Sequence, residues 1–115
     1  MHLVLDGRLE QIINRATLED IIARLVLEIR MTPIAPLSIV TAFDGLTLVQ
    51  IVGESHIVVH TVQDFVHIDI FSCRPFDAEK AKSFCLEAFK ITSICNYQVL
   101  PRGFGNNITL QSVPT

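Results

Sequence analysis

No basic stripe runs along this chain, and that absence argues against a nucleic-acid partner. Such binding rests on Lys and Arg neutralising phosphates, whereas nine basic and twelve acidic residues leave a formal charge of −3. No apolar run is long enough for a membrane span either: the most apolar region, Ile34 to Val52, is interrupted by Pro36, Asp44, Gly45 and Gln50. The N-terminal Met1-His2-Leu3-Val4-Leu5-Asp6 carries neither a cationic leader nor the apolar stretch of a secretory signal. A soluble protein of the cytoplasm is expected. Cysteine is scarce and odd in number; Cys73, Cys85 and Cys95 lack metal-finger spacing, which favours reduced thiols over a disulfide framework. Internal repeats and low-complexity segments are absent.

What remains is apolar for its size. The 115 residues fit one compact domain spanning the whole chain, yet only 18% are charged and half are hydrophobic. Two readings of that balance stand side by side: a well-filled core, and an apolar surface covered by another subunit.

Hydrophobic spacing predicts two helices. Leu18, Ile21, Ile22, Leu25, Val26 and Ile29 follow the i, i+3, i+4 pattern of one buried face. Thr17 is the expected N-cap, and Pro33 ends the element. The second helix is expected from an Asp77 cap to about Lys90, burying Ala81, Phe84, Cys85, Ala88 and Phe89. That makes Cys85 a packing residue.

Between and around the helices lie short Val- and Ile-rich runs bounded by turn residues. Leu46 to Val52, Ser55 to Thr61 and His67 to Cys73 read as strands, with Leu37 to Ala42 pairing through the Asp44-Gly45 turn. Further strands are expected at Ser93 to Leu100, at the sheet edge for His2 to Asp6, and at Ile108 to Leu110 after a flexible Arg102 to Asn107. The order predicts an α+β two-layer sandwich, a mainly antiparallel sheet with two helices on one face. The uncovered face would carry many apolar side chains, so sheet-to-sheet packing into a homodimer is a natural way to bury it.

Alternation in Ser55 to Thr61 places His56, Val58 and His60 on one face and Ser55, Ile57 and Val59 on the other. His67, Asp69, Phe71 and Cys73 share a face of the next strand. Two histidines, an acid and a thiol invite a zinc reading, but His56 and His60 lie about 13 Å apart on a regular strand and cannot share one ion. Ser55, His60 and Asp69 supply the residue types of a hydrolase triad, without the G-x-S-x-G turn or the following helix. Taken singly, each residue also has a structural explanation: Ser55 capping a strand, His60 hydrogen-bonded in the sheet, Cys73 packed as a small hydrophobe.

As an ordered set they say more. Gly53-Glu54-Ser55-His56-Ile57, His60-Thr61 and Ile68-Asp69-Ile70-Phe71-Ser72-Cys73 resemble the core signature of the prokaryotic S-adenosylmethionine decarboxylases. The strong match runs from about Gly45 to Cys73. The resemblance implies an S-adenosylmethionine decarboxylase-like fold and a small-molecule substrate, S-adenosylmethionine, used in polyamine (spermidine) synthesis. It also implies a pyruvoyl group made from Ser55, with neither pyridoxal phosphate nor a metal.

In that family the serine hydroxyl attacks the preceding carbonyl, the amide becomes an ester, and elimination cleaves the chain, here between Glu54 and Ser55. Backbone strain and oxyanion donors would assist this uphill shift, and Gly53 could permit the strain. The resemblance assigns His60 to proton transfer in processing, with Thr47 standing where the family has an assisting serine. Because Ser55 and His60 have opposite parity, Ser55 is expected before the strand proper or beside a bulge. Cys73 is the implied proton donor in decarboxylation, where the ketone forms a Schiff base with the substrate amine; Arg74, if close, would favour its thiolate.

The nucleoside pocket matches less well. Val62-Gln63-Asp64-Phe65 replaces the usual Trp-Pro-Glu-aromatic run, with about two residues fewer before Cys73. Asp64 is then a shortened substitute for a ribose-binding Glu, and Phe43 the candidate to pack on adenine. These departures keep two other readings open: a pyruvoyl decarboxylase of another amino acid such as ornithine or arginine, and an unprocessed homologue acting as a binding or regulatory partner.

Overall fold

Alternating burial along the four inner strands organises the molecule, since each of them gives one face to the helices and the other to its surroundings. A computed structural model describes residues 1–102. The elements are β1 (His2–Leu9), α1 (Arg15–Glu28), β2 (Ser38–Ala42), β3 (Gly45–Val52), β4 (Ser55–Val62), β5 (Phe65–Ser72), α2 (Ala78–Ala88) and β6 (Ile91–Leu100). The expected strand at Ile108 to Leu110, and the segment before it apart from Arg102, lie outside the described residues.

All six strands form one antiparallel sheet in the order β2-β3-β4-β5-β1-β6. The α+β sandwich with two helices is therefore the observed architecture. One placement differs: the strand beginning at His2 is internal, held between β5 and β6, and the edges are β2 and β6. Sequence proximity favours the β2-to-β5 meander, but the closing of β6 onto β1 is a long-range choice that hydrophobic pattern does not encode.

The core lies between the helices and one face of the sheet. Leu3, Leu5, Leu48, Ile57, Val59, Ile68 and Ile70 from the strands meet Leu18, Ile21, Ile22 and Leu25 of α1 and Ala81, Cys85 and Phe89 of α2. Burial pushes the Cys85 thiol up to about 12, as fits a packed, unreactive sulfur. Asp77 caps α2 as expected, its carboxylate accepting from Lys80 N–H at 3.0 Å. For α1 the cap is Asn14, accepting from Thr17 N–H at 2.9 Å, so the helix starts earlier than the Thr17 reading predicted. Asn is an equally strong cap, and the polar first turn it precedes carries no periodic signal.

The face away from the helices is half-buried and chemically mixed. Val4, Val49, Ile51, Val58, Val62, Phe65 and Phe71 share it with His2, His56, His60 and His67, which are all four histidines of the chain, and with Asp6 and Asp69. The expected apolar side chains are present, interleaved with imidazoles and carboxylates. None of the helices among the described residues is long and apolar enough to cross a membrane.

Candidate active site

The hairpin joining β3 to β4 closes on the pair Val52 and Ser55, leaving Gly53-Glu54 as a two-residue loop. A neighbouring segment fixes this loop from the side: Gly53 N–H donates to Thr32 C=O at 2.7 Å, and Ile34 N–H donates to Ile51 C=O at 3.2 Å. Such short hairpins normally take a positive φ inside the loop. Here Gly53 has none, and the strain expected at that glycine falls instead on Ser55, whose φ is 154°. A non-glycine residue in this sparsely populated region carries a cost on the order of 1–3 kcal/mol.

Glu54, although charged, is buried at 7% exposure. Its Oε1 accepts from Thr32 N–H at 3.0 Å and its Oε2 from the Arg74 guanidinium at 2.5 Å. The Thr32 N–H, aided by the Arg74 hydrogen bond and charge, holds the Glu54 carboxyl below the usual carboxylate range against the opposing effect of burial. The backbone of the same residue is held too: Cys73 N–H donates to Glu54 C=O at 2.8 Å. Ser72 pairs with Ser55 across the β4–β5 ladder, and its hydroxyl accepts from Arg74 N–H at 3.1 Å.

Ser55, Glu54 and Cys73 therefore meet at one end of the sheet. A cavity of about 560 Å³ opens beside them, lined by Glu54, Ser72, Arg74, Met31, Phe76 and Lys80 among others. Among the described residues the Ser55 hydroxyl has no hydrogen-bond partner.

The remaining candidates lie elsewhere. β4 begins at Ser55 itself and runs without a register shift against β3 or β5, so the expected bulge or preceding position is not present. His60, five residues on, faces away from the helices, about 17 Å along the strand from Ser55. Its Nδ1 is 2.7 Å from Thr47 Oγ1, and its ring stacks on His67 with centroids 6.0 Å apart. Asp64 and Phe43 occupy the loops at that same distal end; Asp64 meets Arg8 at 3.3 Å, and Phe43 is fully exposed. Thr47, His60, Asp64 and Phe43 form one group, and Glu54, Ser55 and Cys73 another, at opposite ends of the sheet.

Arg74 and Thr32 were not singled out from sequence as partners of Glu54. The one available signal was an Arg directly after Cys73 and an acid directly before Ser55. His2 and His56 were likewise not linked to Asp69, whose Oδ1 lies 2.8 Å and 3.7 Å from their Nε2 atoms. Among the described residues no group of three or more His, Cys, Asp or Glu side chains is arranged to hold a metal ion.

Comparison with known proteins fits this geometry. The S-adenosylmethionine decarboxylase family profile matches residues 2–103. The crystal structure of the adenosylmethionine decarboxylase from Aquifex aeolicus VF5 aligns with a TM-score of 0.74 at 21% identity, covering 90% of this chain and 89% of that one. That likeness establishes the fold. No curated protein matches. The chain belongs to the S-adenosylmethionine decarboxylase family.

Proposed function

We propose that this member of the S-adenosylmethionine decarboxylase family is a self-processing, pyruvoyl-dependent carboxy-lyase acting on S-adenosylmethionine in polyamine synthesis. The observation that carries the reading is the 2.8 Å hydrogen bond from Cys73 N–H to the Glu54 carbonyl, directly before a backbone-strained Ser55. Attack of Ser55 Oγ on that carbonyl forms a C–O bond and puts negative charge on the oxygen that Cys73 N–H already meets. Collapse breaks the C–N bond, and the hydroxyl proton passes to the freed nitrogen. Loss of the Ser55 Cα proton then expels Glu54 as a carboxylate, and water replaces nitrogen, released as ammonia, to leave a ketone at residue 55.

That pyruvoyl ketone, once joined to the substrate amine, supplies the electron sink for decarboxylation. In this reading Cys73, whose backbone meets the scissile pair, returns a proton to the substrate carbon.

His60 and Thr47 cannot serve Ser55 within one protomer, since a regular strand separates them. A second copy resolves this. Two sheets packed face to face about a two-fold axis, with strands opposed, lay the distal end of one over the Ser55 end of the other. The His60-Thr47 pair, Asp64 and Phe43 of one copy would then lie over the end of β4 in its mate, and in this reading would act on the Glu54-Ser55 peptide from the face opposite the Ser55 side chain.

Intact mass measurement of purified protein, with and without a carbonyl-reactive amine, tests the reading. Fragments 1–54 and 55–115 are expected, with the adduct on the second, while Ser55→Ala stays whole. A full-length mass after prolonged incubation, with no adduct, would instead identify a non-catalytic homologue. Carbon dioxide release should be greater from S-adenosylmethionine than from ornithine or arginine; the reverse order would reassign the substrate.

A further inference from the structure

Three consecutive residues wrap the peptide that is to be cleaved. Ser72 pairs with Ser55, Cys73 N–H holds the Glu54 carbonyl at 2.8 Å, and the Arg74 guanidinium holds the Glu54 carboxylate. The other carboxylate oxygen is fixed by Thr32 N–H, whose own carbonyl accepts from Gly53 N–H. Glu54 is thus anchored through side chain and backbone at once, so the peptide plane ahead of Ser55 has little freedom to rotate.

From this arrangement we propose that Arg74 is a positioning residue for chain cleavage, gripping the Glu54 carboxylate so that its carbonyl stays aimed at Cys73 N–H and open to Ser55 Oγ. The proposal rests on the self-processing reading above. In the amide-to-ester step the Ser55 Oγ–Glu54 C bond forms, the Glu54 C–Ser55 N bond breaks, and one proton moves from Oγ to N; Arg74 exchanges nothing and acts only through Glu54. Because this shift is uphill, its rate depends on how much of the time the carbonyl is held in the reactive orientation.

The pairing is asymmetric in a way that favours positioning over stability. The Arg74 side chain is 69% exposed and that of Glu54 only 8%. A pair with one partner so well solvated contributes little to folding. Without Arg74, Glu54 keeps its Thr32 bond and still lines the adjoining cavity. The fold survives while the grip is lost.

The test follows self-cleavage of wild type, Arg74→Ala, Arg74→Lys and Glu54→Gln by intact mass, with hydroxylamine added to trap the ester. Arg74→Ala is expected to slow cleavage about tenfold or more, the scale of losing a hydrogen bond to a charged group. Its rate of trapping by hydroxylamine should fall in parallel and its melting temperature should stay close to wild type. Arg74→Lys should recover part of the rate, and so should guanidinium ion added to Arg74→Ala, since the site is solvent-accessible. Cleavage and hydroxylamine trapping at wild-type rates in Arg74→Ala would overturn the proposal. Should that variant fail to fold, Glu54→Gln decides, because it keeps the shape and removes the charge that Arg74 grips; unchanged cleavage there is equally fatal. If wild type itself does not cleave, the self-processing reading fails, an outcome distinct from wild type cleaving and the Arg74 variants cleaving alike.

Discussion

At the distal end of the sheet, the loops Phe43-Asp44 and Gln63-Asp64 each give their first residue a positive φ, 56° and 54°. At the other end the loop Gly53-Glu54 holds no positive φ, although it contains the glycine best able to adopt one, and the unusual angle of 154° falls on Ser55. The distal loops follow the usual economy of a tight hairpin, with strain confined to exposed turn residues. The Glu54 loop is governed by its anchors: a buried carboxylate and a carbonyl tied to β5 dictate its path, and the strand residue absorbs the mismatch. Strain located on the residue proposed to react is what a precursor of self-cleavage needs.

The largest effect that could break this division between the two ends comes from mixing variants. His60→Ala alone should slow cleavage about 10²- to 10⁴-fold, the usual range for a lost acid–base group. Co-expressed with Ser55→Ala, the His60→Ala chain should be cleaved again, because in the proposed homodimer the other copy's His60 would reach its intact Glu54-Ser55 peptide. No recovery in the mixture, read by mass spectrometry, would put both groups back in one protomer and contradict the separation by β4.

A smaller effect compares the glycines at the two ends, best measured by urea denaturation in the uncleavable Ser55→Ala background. A Cβ on Gly45 would lie 2.9 Å from Thr61 O and 3.2 Å from His60 Cε1, so Gly45→Ala should destabilise by about 1–3 kcal/mol. A Cβ on Gly53 would meet nothing nearer than 3.8 Å, and the backbone there needs no positive φ. Gly53→Ala should therefore stabilise by about 0.4–1 kcal/mol through the unfolded chain. Destabilisation at Gly53 would mean that the loop uses its glycine after all.

The smallest effect concerns acid. Glu54 is held below the usual carboxylate range, so its contribution to stability is complete above that range and is lost as pH falls through its lowered value. In the same background, Glu54→Gln should melt lower at neutral pH, with the difference shrinking as pH falls through the lowered value, so that the acid side of its melting profile is flatter. An identical acid limb in both proteins would show that the clamp does not discriminate the ionised form.

Much of the fold was legible because it is local. The periodicity of α1 and α2 and the alternation of β3, β4 and β5 are written at spacings of a few residues, and the Asp77 cap lies where its helix begins. The Asn14 cap was missed because the turn after it is polar and carries no period. The internal place of β1 was missed because strand order depends on β6 returning from the far end of the chain. For the site, Ser55 and Cys73 could be read as a pair from their ordered motif, and β4–β5 pairing does bring their ends together.

What the sequence determined by itself is the chemistry available and the face on which each strand residue falls, because residue type and a period of two are properties of the chain alone. His60 on the face opposite Ser55 was already contained in that parity. Only the tertiary structure decided that no bulge relieves it, that Glu54 is held by Thr32 and Arg74, and that strain passes from Gly53 to Ser55. Those outcomes depend on contacts between segments 20 or more residues apart, whose geometry exists only once the sheet has closed and the charge has found its partners.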